Sequence, residues 1–253
     1  MQRRNFLSLA GAMGLSAADA LKKPGFWSLE NYYLKQGTQM ARLHEFLQRG
    51  VLPSMKKVHA GPVIVMEAMV AQHMPQVALV MGYESMQQFK DVRTKAMSDP
   101  DSMEKLKLWE SASEQPFEHM SMTLLDAAPY SPEVAIKQQQ EKPRIFELRV
   151  YHSPSWSQLR ALHERFAGPE TKIFARVGVH PIFYSTTVAG ANMPNLTYLI
   201  PFDNLAAREK AWDAFGADPE WIKVRKESID KYGQISSVIQ ISIFKAAAYS
   251  PVG

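Results

Sequence analysis

Apolar and polar positions alternate along this chain in short runs, and the first run of each set leads into a stretch with helical spacing. The clearest run is Ile145 to His152, where Phe146, Leu148 and Val150 alternate with Glu147, Arg149 and Tyr151; a period of two predicts a strand. Ser153 and Pro154 then offer a capping residue and a helix-starting proline, and Leu159, Leu162 and Phe166 follow at helical spacing. Val179 to Val188 is rich in β-branched and aromatic residues and predicts a second strand. Gly190 to Pro194 reads as the turn before a third, Asn195 to Phe202. Asp203 is placed to cap a second helix through Ala206, Ala207, Ala211 and Phe215, with a further helical turn after Asp218 and Pro219. Ser237 to Phe244 closes the set, with Ile239, Ile241 and Ile243 opposite Val238, Gln240 and Ser242.

The same order occurs earlier in the chain at a constant offset of 119 residues. Leu43, His44 and Glu45 match Leu162, His163 and Glu164; Met74 and Pro75 match Met193 and Pro194; Asp99 and Pro100 match Asp218 and Pro219. The last turns agree too, Ala127 to Pro132 against Ala246 to Pro251. First-copy strands are therefore predicted near Phe26 to Leu34, Pro62 to Ala71, Gln76 to Tyr83 and Phe117 to Leu125, with helices near Thr38 to Met55 and Ser85 to Met97 and a turn near Met103 to Glu110. Strand, helix, strand, strand, helix, strand is the ferredoxin-like split βαβ order. The predicted fold is α+β: two tandem ferredoxin-like (βαββαβ) domains, residues 24–128 and 144–253, joined by a polar, proline-bounded linker over 129–143.

Composition narrows the chemistry. The chain has 253 residues and no cysteine, which removes disulfides, thiolate metal sites and cysteine nucleophiles together. Its 29 Lys and Arg are balanced by 25 Asp and Glu without a dense basic run, so no nucleic-acid partner is expected. Residues 1–20 carry Arg3 and Arg4, an apolar stretch from Phe6 to Leu15 and a small-x-small end at Ala18 to Ala20, the three parts of an export signal peptide. Arg3 to Leu7 is similar to a twin-arginine motif, with Gln2 where Ser or Thr is usual. A periplasmic or secreted protein without a membrane span is the expectation, and homo-oligomerisation is left open.

Glu147 to Tyr151, together with Ala217, Asp218, Pro219, Glu220 and Trp221, resembles the opening and closing motifs of a NIPSNAP domain. The first copy keeps Leu29, Tyr32, Asp99 and Pro100 of these motifs and departs at Ser28, Glu30, Asp101 and Ser102. The resemblance implies a dimeric α/β barrel, similar in fold to antibiotic-biosynthesis-type monooxygenases, chlorite dismutases and heme-degrading barrels. One chain with two copies would then supply both halves, its sheets packed with their helix-free faces together. Fold alone assigns no chemistry.

If the apolar side of each strand faces its own helices, then Phe146, Leu148, Val150, Ile239, Ile241 and Ile243 point that way. The inter-sheet space then receives Glu147, Arg149, Tyr151, Gln240 and Ser242 from the second copy, and Glu30, Tyr32, His119, Ser121 and Thr123 from the first. Two readings stay open: the charges pair with each other or with water, or the groups line a pocket for a small, partly apolar ligand. In the second reading the ligand-binding candidates are Arg149, Tyr151, Glu147, Gln240, Glu30, Tyr32 and His119. Arg149 would clamp an anionic or carbonyl group, and Glu147 or His119 would transfer protons.

His44 and His163 lie on apolar helix stripes and read as hydrogen-bonded core residues, with heme or metal ligation as the alternative. His73 with Met74, and His119 with Met120 and Met122, pair imidazole with thioether in a way that would suit Cu(I), but strand order is expected to hold the two pairs apart. No cofactor or metal is therefore assigned. Three functional classes remain: a ligand-binding barrel, a cofactor-poor monooxygenase or isomerase, and a structural or protein-interaction module whose barrel is filled by side chains.

Overall fold

The computed structural model of the chain describes residues 21–135 and 144–252. The expected signal peptide and the Gln138 to Lys142 stretch of the linker lie outside the described residues.

A short strand β1 (Leu21–Lys22) opens the described chain. The first copy follows as β2 (Phe26–Tyr33), α1 (Gln39–Phe46), a π-type turn at Leu47–Val51, α2 (Leu52–Val58), β3 (Val63–Val70), β4 (Gln76–Tyr83), α3 (Met86–Met97), α4 (Pro100–Glu110) and β5 (His119–Ala127). After β6 (Val134–Ala135) the second copy repeats this as β7 (Ile145–His152), α5 (Trp156–Arg165), a π-type turn at Phe166–Glu170, α6 (Thr171–Arg176), β8 (Phe183–Ala189), β9 (Asn195–Phe202), α7 (Leu205–Ala217), α8 (Pro219–Tyr232) and β10 (Val238–Ala246). Each copy has the ferredoxin-like strand order, β3-β4-β2-β5 and β8-β9-β7-β10. The edges pair across the copies, β5 with β8 and β10 with β3, so that eight antiparallel strands close into one barrel with the helices outside.

Helix starts follow local chemistry, with two shifts from the predicted positions. α5 is capped by Ser155, whose hydroxyl accepts from the Gln158 amide at 3.3 Å; Ser153, the predicted cap, instead donates to the Ile235 carbonyl at 2.7 Å. α7 is capped by Asn204 and not by Asp203. The turns expected after the two Asp-Pro pairs are full helices. Asp99 accepts from the amides of Asp101 and Ser102, Asp218 accepts from those of Glu220 and Trp221, and each proline takes the first helical position. Lys57 and Arg176, also 119 residues apart, reach these caps at 2.6 and 2.7 Å.

The core has three layers. Two clusters lie between each sheet and its own helices, around Leu43, Leu47 and Trp109 in one copy and Phe166, Phe174 and Tyr198 in the other. The third fills one end of the barrel from both copies, with Trp27 stacked on Phe183 at 4.6 Å above Ile64, Phe146 and Phe244. Such a stack adds about 0.5–1.5 kcal/mol beyond area burial. The tails that close this end cross over. Ser131 hydrogen bonds the Tyr184 backbone in the second copy, and Ser250 accepts from the Val65 amide in the first.

The helix histidines belong to the same crossing. Tyr249, at the end of the second copy, meets His44 Nδ1 at 2.5 Å, and Tyr130, at the end of the first, meets His163 Nδ1 at 2.7 Å. His163 Nε2 is also bonded to Thr186 at 2.8 Å, and burial holds its imidazole below the ordinary range. Both histidines are hydrogen-bonded structural residues that fasten each copy's tail to the other copy. Tyr130→Phe and Tyr249→Phe should each lower the unfolding free energy by about 1–2 kcal/mol in urea melts, since each leaves a partly buried imidazole nitrogen without its partner.

Candidate functional site

Cross-strand register decides which side chains enter the barrel. Val150 stands opposite both Gln240 and Thr197, Leu148 opposite Ser242 and Leu199, and Phe146 opposite Phe244. In the first copy Leu29, Asn31 and Tyr33 stand opposite Thr123, Ser121 and His119. Residues paired in this way share a face, and these are the faces that line the interior.

This register places His119, Ser121, Thr123, Gln240 and Ser242 inside the barrel, and turns Glu147, Arg149, Tyr151, Glu30 and Tyr32 toward their own helices. Phe146, Leu148 and Val150 correspondingly point into the barrel and not toward the helices. Ile239 and Ile241 share the helix side with Tyr151 and Arg149, but they precede the residues of β10 that pair with β3 and are 47% and 42% exposed. The expected site was thus built from the wrong face of the two central strands, β2 and β7. A shift of one residue moves every side chain of a strand to the other side.

Glu147, at 0% exposure, is the centre of a polar cluster under α7. Its Oε1 accepts from Arg149 Nε at 2.5 Å, and its Oε2 accepts from Arg208 Nε at 2.5 Å and Trp212 Nε1 at 2.9 Å. Arg149 donates to the Tyr151 hydroxyl at 2.8 Å and lies 3.7 Å over the Trp212 ring. Arg208 and Trp212, four residues apart on α7, share the face that reaches down to the strand. In the first copy the polarity is exchanged: Glu30 occupies the Arg149 position, accepts from Arg93 at 2.6 Å and from the Tyr32 hydroxyl at 3.0 Å, and Arg93 occupies the Trp212 position. These residues hold helix to sheet in both copies.

The barrel is filled at one end and open in the other half. A cavity of about 540 Å³ is floored by Leu29, Leu148 and Phe244, with Val150 in its wall. Asn31, Ser121, Thr123, Thr187, Asn195, Thr197, Gln240 and Ser242 furnish hydrogen-bonding groups above the floor. The β3–β4 and β8–β9 turns contribute Gln72, His73, Ala191 and Asn192. No Asp, Glu, Lys or Arg is among the lining residues.

The polar wall is partly self-satisfied. Asn195 Oδ1 accepts from Thr187 at 2.7 Å and Thr197 at 2.9 Å, and Gln76 donates to Asn31 at 2.8 Å. Three rings gather on the first-copy side of the mouth: Tyr33 stacks on His119 at 4.3 Å, and His73 stands 5.2 Å from Tyr33 and 5.6 Å from His119. His73 Nε2 is 2.8 Å from the Leu34 carbonyl; donation to that acceptor makes Nδ1 the acceptor nitrogen of the neutral ring. The tyrosine hydroxyl is held by Ser121 at 3.1 Å. Tyr33 and Asn195 were not among the sequence candidates, and His73 was weighed there only as half of a His-Met pair. The strand spacing expected to separate His73 from His119 is bridged because His73 sits on a turn that folds over Tyr33. Among the described residues no group of three or more His, Cys, Asp or Glu is arranged to hold a metal ion.

The NIPSNAP family model matches residues 28–132 and again residues 146–251. The chain belongs to the NIPSNAP family. Its two NIPSNAP domains together adopt the dimeric α/β barrel within a single polypeptide. Similar barrels include a protein from Fusobacterium nucleatum subsp. nucleatum designated a monooxygenase by conjecture, with TM-score 0.58 and 9% identity over 87% of this chain and 91% of that one. An anthrone oxidase-like protein has TM-score 0.56 and 11% identity over 89% and 92%. A mutant chlorite dismutase from Candidatus Nitrospira defluvii has TM-score 0.51 and 8% identity over 90% and 94%. At these identities the likeness is one of fold. Among curated proteins none matches the chain. No helix among the described residues is long and apolar enough to cross a membrane.

In this NIPSNAP chain the strand motif and the Asp-Pro motif are both structural: the first forms the Glu147 cluster and the second caps α8. Glu147→Ala should therefore cost about 3–5 kcal/mol in denaturant melts, because it strands Arg149 and Arg208 beside a buried ring. Arg149→Ala should likewise lower stability while leaving the dimensions of the barrel cavity unchanged.

Proposed function

We propose that this NIPSNAP protein binds a small, uncharged, partly apolar molecule in the open half of its barrel. The observation that carries the reading is the cavity of about 540 Å³, with an apolar floor, a ring of amide and hydroxyl groups and no charged lining residue. With its imidazoles neutral, the wall offers no counter-charge to a carboxylate or ammonium ligand, whereas carbonyl and hydroxyl groups would find partners. Because side chains fill the interior at one end only, the reading as a purely structural module is the weaker one.

A second reading is favoured by the ring cluster at the mouth. Tyr33, His73 and His119 could move a proton to or from a bound ligand, with the Nδ1 of His73 or a ring nitrogen of His119 as base. That chemistry fits a cofactor-poor oxygenase or isomerase, the class suggested by the names of the monooxygenase and anthrone oxidase-like neighbours. It replaces Glu147, which is committed to α7, as the proton-transfer candidate.

1-Naphthol and 1-naphthoate separate the charge argument cleanly, since they differ only in the polar group. Isothermal titration should give saturable binding of 1-naphthol and at least about tenfold weaker binding of 1-naphthoate, a difference of about 1.4 kcal/mol. Ser242→Phe, which fills the cavity from β10, should abolish the first. Equal affinity for the two probes, or naphthol binding that survives Ser242→Phe, would remove the cavity from consideration.

We also propose that the protein works outside the cytoplasm, supported by the charged, apolar and small-residue segments of residues 1–20. Replacing Arg3 and Arg4 together by Lys should leave the chain in the cytoplasmic fraction; continued export would dismiss the twin-arginine route.

A further inference from the structure

The helix layer of the second copy contains a hollow that its counterpart in the first copy lacks. In the first copy Phe46 stacks on Trp109 at 4.4 Å, and Phe117 lies 5.7 Å from Trp109 and 5.9 Å from Tyr32, so that rings fill this space. At the 119-residue offset those three ring positions are Arg165, Ser228 and Ser236, beside Tyr151. Losing three rings leaves a cavity of about 120 Å³, whose lining includes Tyr151, Arg165, Glu170, Trp221, Arg225 and Ser236. A single water needs about 10–15 Å³ of space on this measure, so the hollow has room for a group of several heavy atoms.

Apolar side chains, Ile229, Ile235 and Ile239 among them, make most of its wall, and a few polar groups are set into it. Arg165 Nε donates to Glu170 at 2.7 Å, Nη1 donates to Ser228 at 3.2 Å, and the guanidinium lies 4.9 Å over the Trp221 ring. Glu170 is thus already matched by a fixed cation. On exposed α8 the Arg225 carbonyl accepts from the Ser228 hydroxyl at 2.9 Å, while its guanidinium has no ion-pair or hydrogen-bond partner among the described residues. The Ser236 hydroxyl is buried, with the residue 9% exposed, and it too has no partner. A buried hydroxyl without a partner forgoes a hydrogen bond that water would have supplied, which is uncommon unless something else occupies the space. A free guanidinium and a free hydroxyl on the rim and wall of one small hollow ask for acceptor oxygens.

We propose that this hollow is a binding site for a small oxyanion, the carboxylate or phosphate group of a ligand, held by Arg225, by the remaining Nη2 donor of Arg165 and by the Ser236 hydroxyl. Tyr151 and Trp221 supply the flat walls. Burial pushes the Glu170 carboxyl up to about 7 despite the opposing pull of Arg165, so its negative charge is reduced near neutrality and resists an incoming anion less. The site is independent of the barrel cavity: it lies on the helix side of the second sheet, whose other face lines the barrel.

The test is a titration of the full chain with sodium acetate and, separately, inorganic phosphate, against sodium chloride of matched ionic strength, read from the Trp221 indole N–H resonance. A saturable shift with either anion is expected, and which of the two produces it distinguishes a carboxylate site from a phosphate site. Arg225→Gln, a change at an exposed helix position, should weaken that binding at least tenfold. Ser236→Phe, which restores the ring of Phe117, should abolish it, while 1-naphthol binding in the barrel is unchanged. Linear shifts indistinguishable from chloride, or saturable shifts that persist at full affinity in Arg225→Gln, would overturn the proposal, whether or not Ser236→Phe folds.

Discussion

The structure depends on the satisfaction of four strand edges. A ferredoxin-like sheet leaves both outer strands with unpaired amide and carbonyl groups, and exposed edges of this kind invite association with other chains. Here β5 takes β8 through Leu124 to Ala127 and β10 takes β3 through Ile243 to Ala246, so each copy caps part of the other's outer strands and the eight-stranded sheet closes. Closure buries the helix-free faces against each other, and the rest follows from that burial. The apolar residues on the inward side of β2, β3, β7 and β10 meet in one end of the barrel. The tails beyond β5 and β10 run onto the opposite copy, where Tyr130 and Tyr249 find histidines.

Charged groups are distributed accordingly. Both strongly paired carboxylates of the central strands, Glu30 and Glu147, lie on the helix side, where arginines from α3 and α7 can reach them. The barrel interior has no helix to bring in a counter-charge, and its polar half is furnished with amides, hydroxyls and imidazoles that can satisfy one another. A neutral interior is thus the electrostatic consequence of a closed sheet whose supporting charges come from outside.

Much of this was legible in the sequence and one part of it was not. The constant offset fixed two copies and their order of elements, and strands such as Gln76 to Tyr83 and Asn195 to Phe202 occur where the alternation put them. The facing of β2 and β7 was misread because both sides of a central strand in this barrel are buried: Glu147 is 0% exposed and Leu148 8%. Alternation of polar and apolar residues then reports two interiors of different chemistry, and not an inside and an outside. On β5 and β10 the inward residues His119, Ser121, Gln240 and Ser242 were assigned correctly, since one side of each strand carries the polar groups. Register was the missing information. Setting Gln240 beside Val150 and not beside Arg149 corrects β7 at once. His73 was missed as a neighbour of His119 because a turn, unlike a strand, is not held to the strand spacing.

The ring cluster at the barrel mouth comes from the first copy alone; at the positions of Tyr33, His73 and His119 the second copy carries His152, Asn192 and Val238. In a barrel assembled from two identical subunits, any substitution in one wall is imposed on the other, and the pocket inherits a twofold axis. Fusing the halves lifts that constraint. Each wall can drift separately, and a chamber that began with mirrored furnishings can come to fit a molecule whose two ends differ.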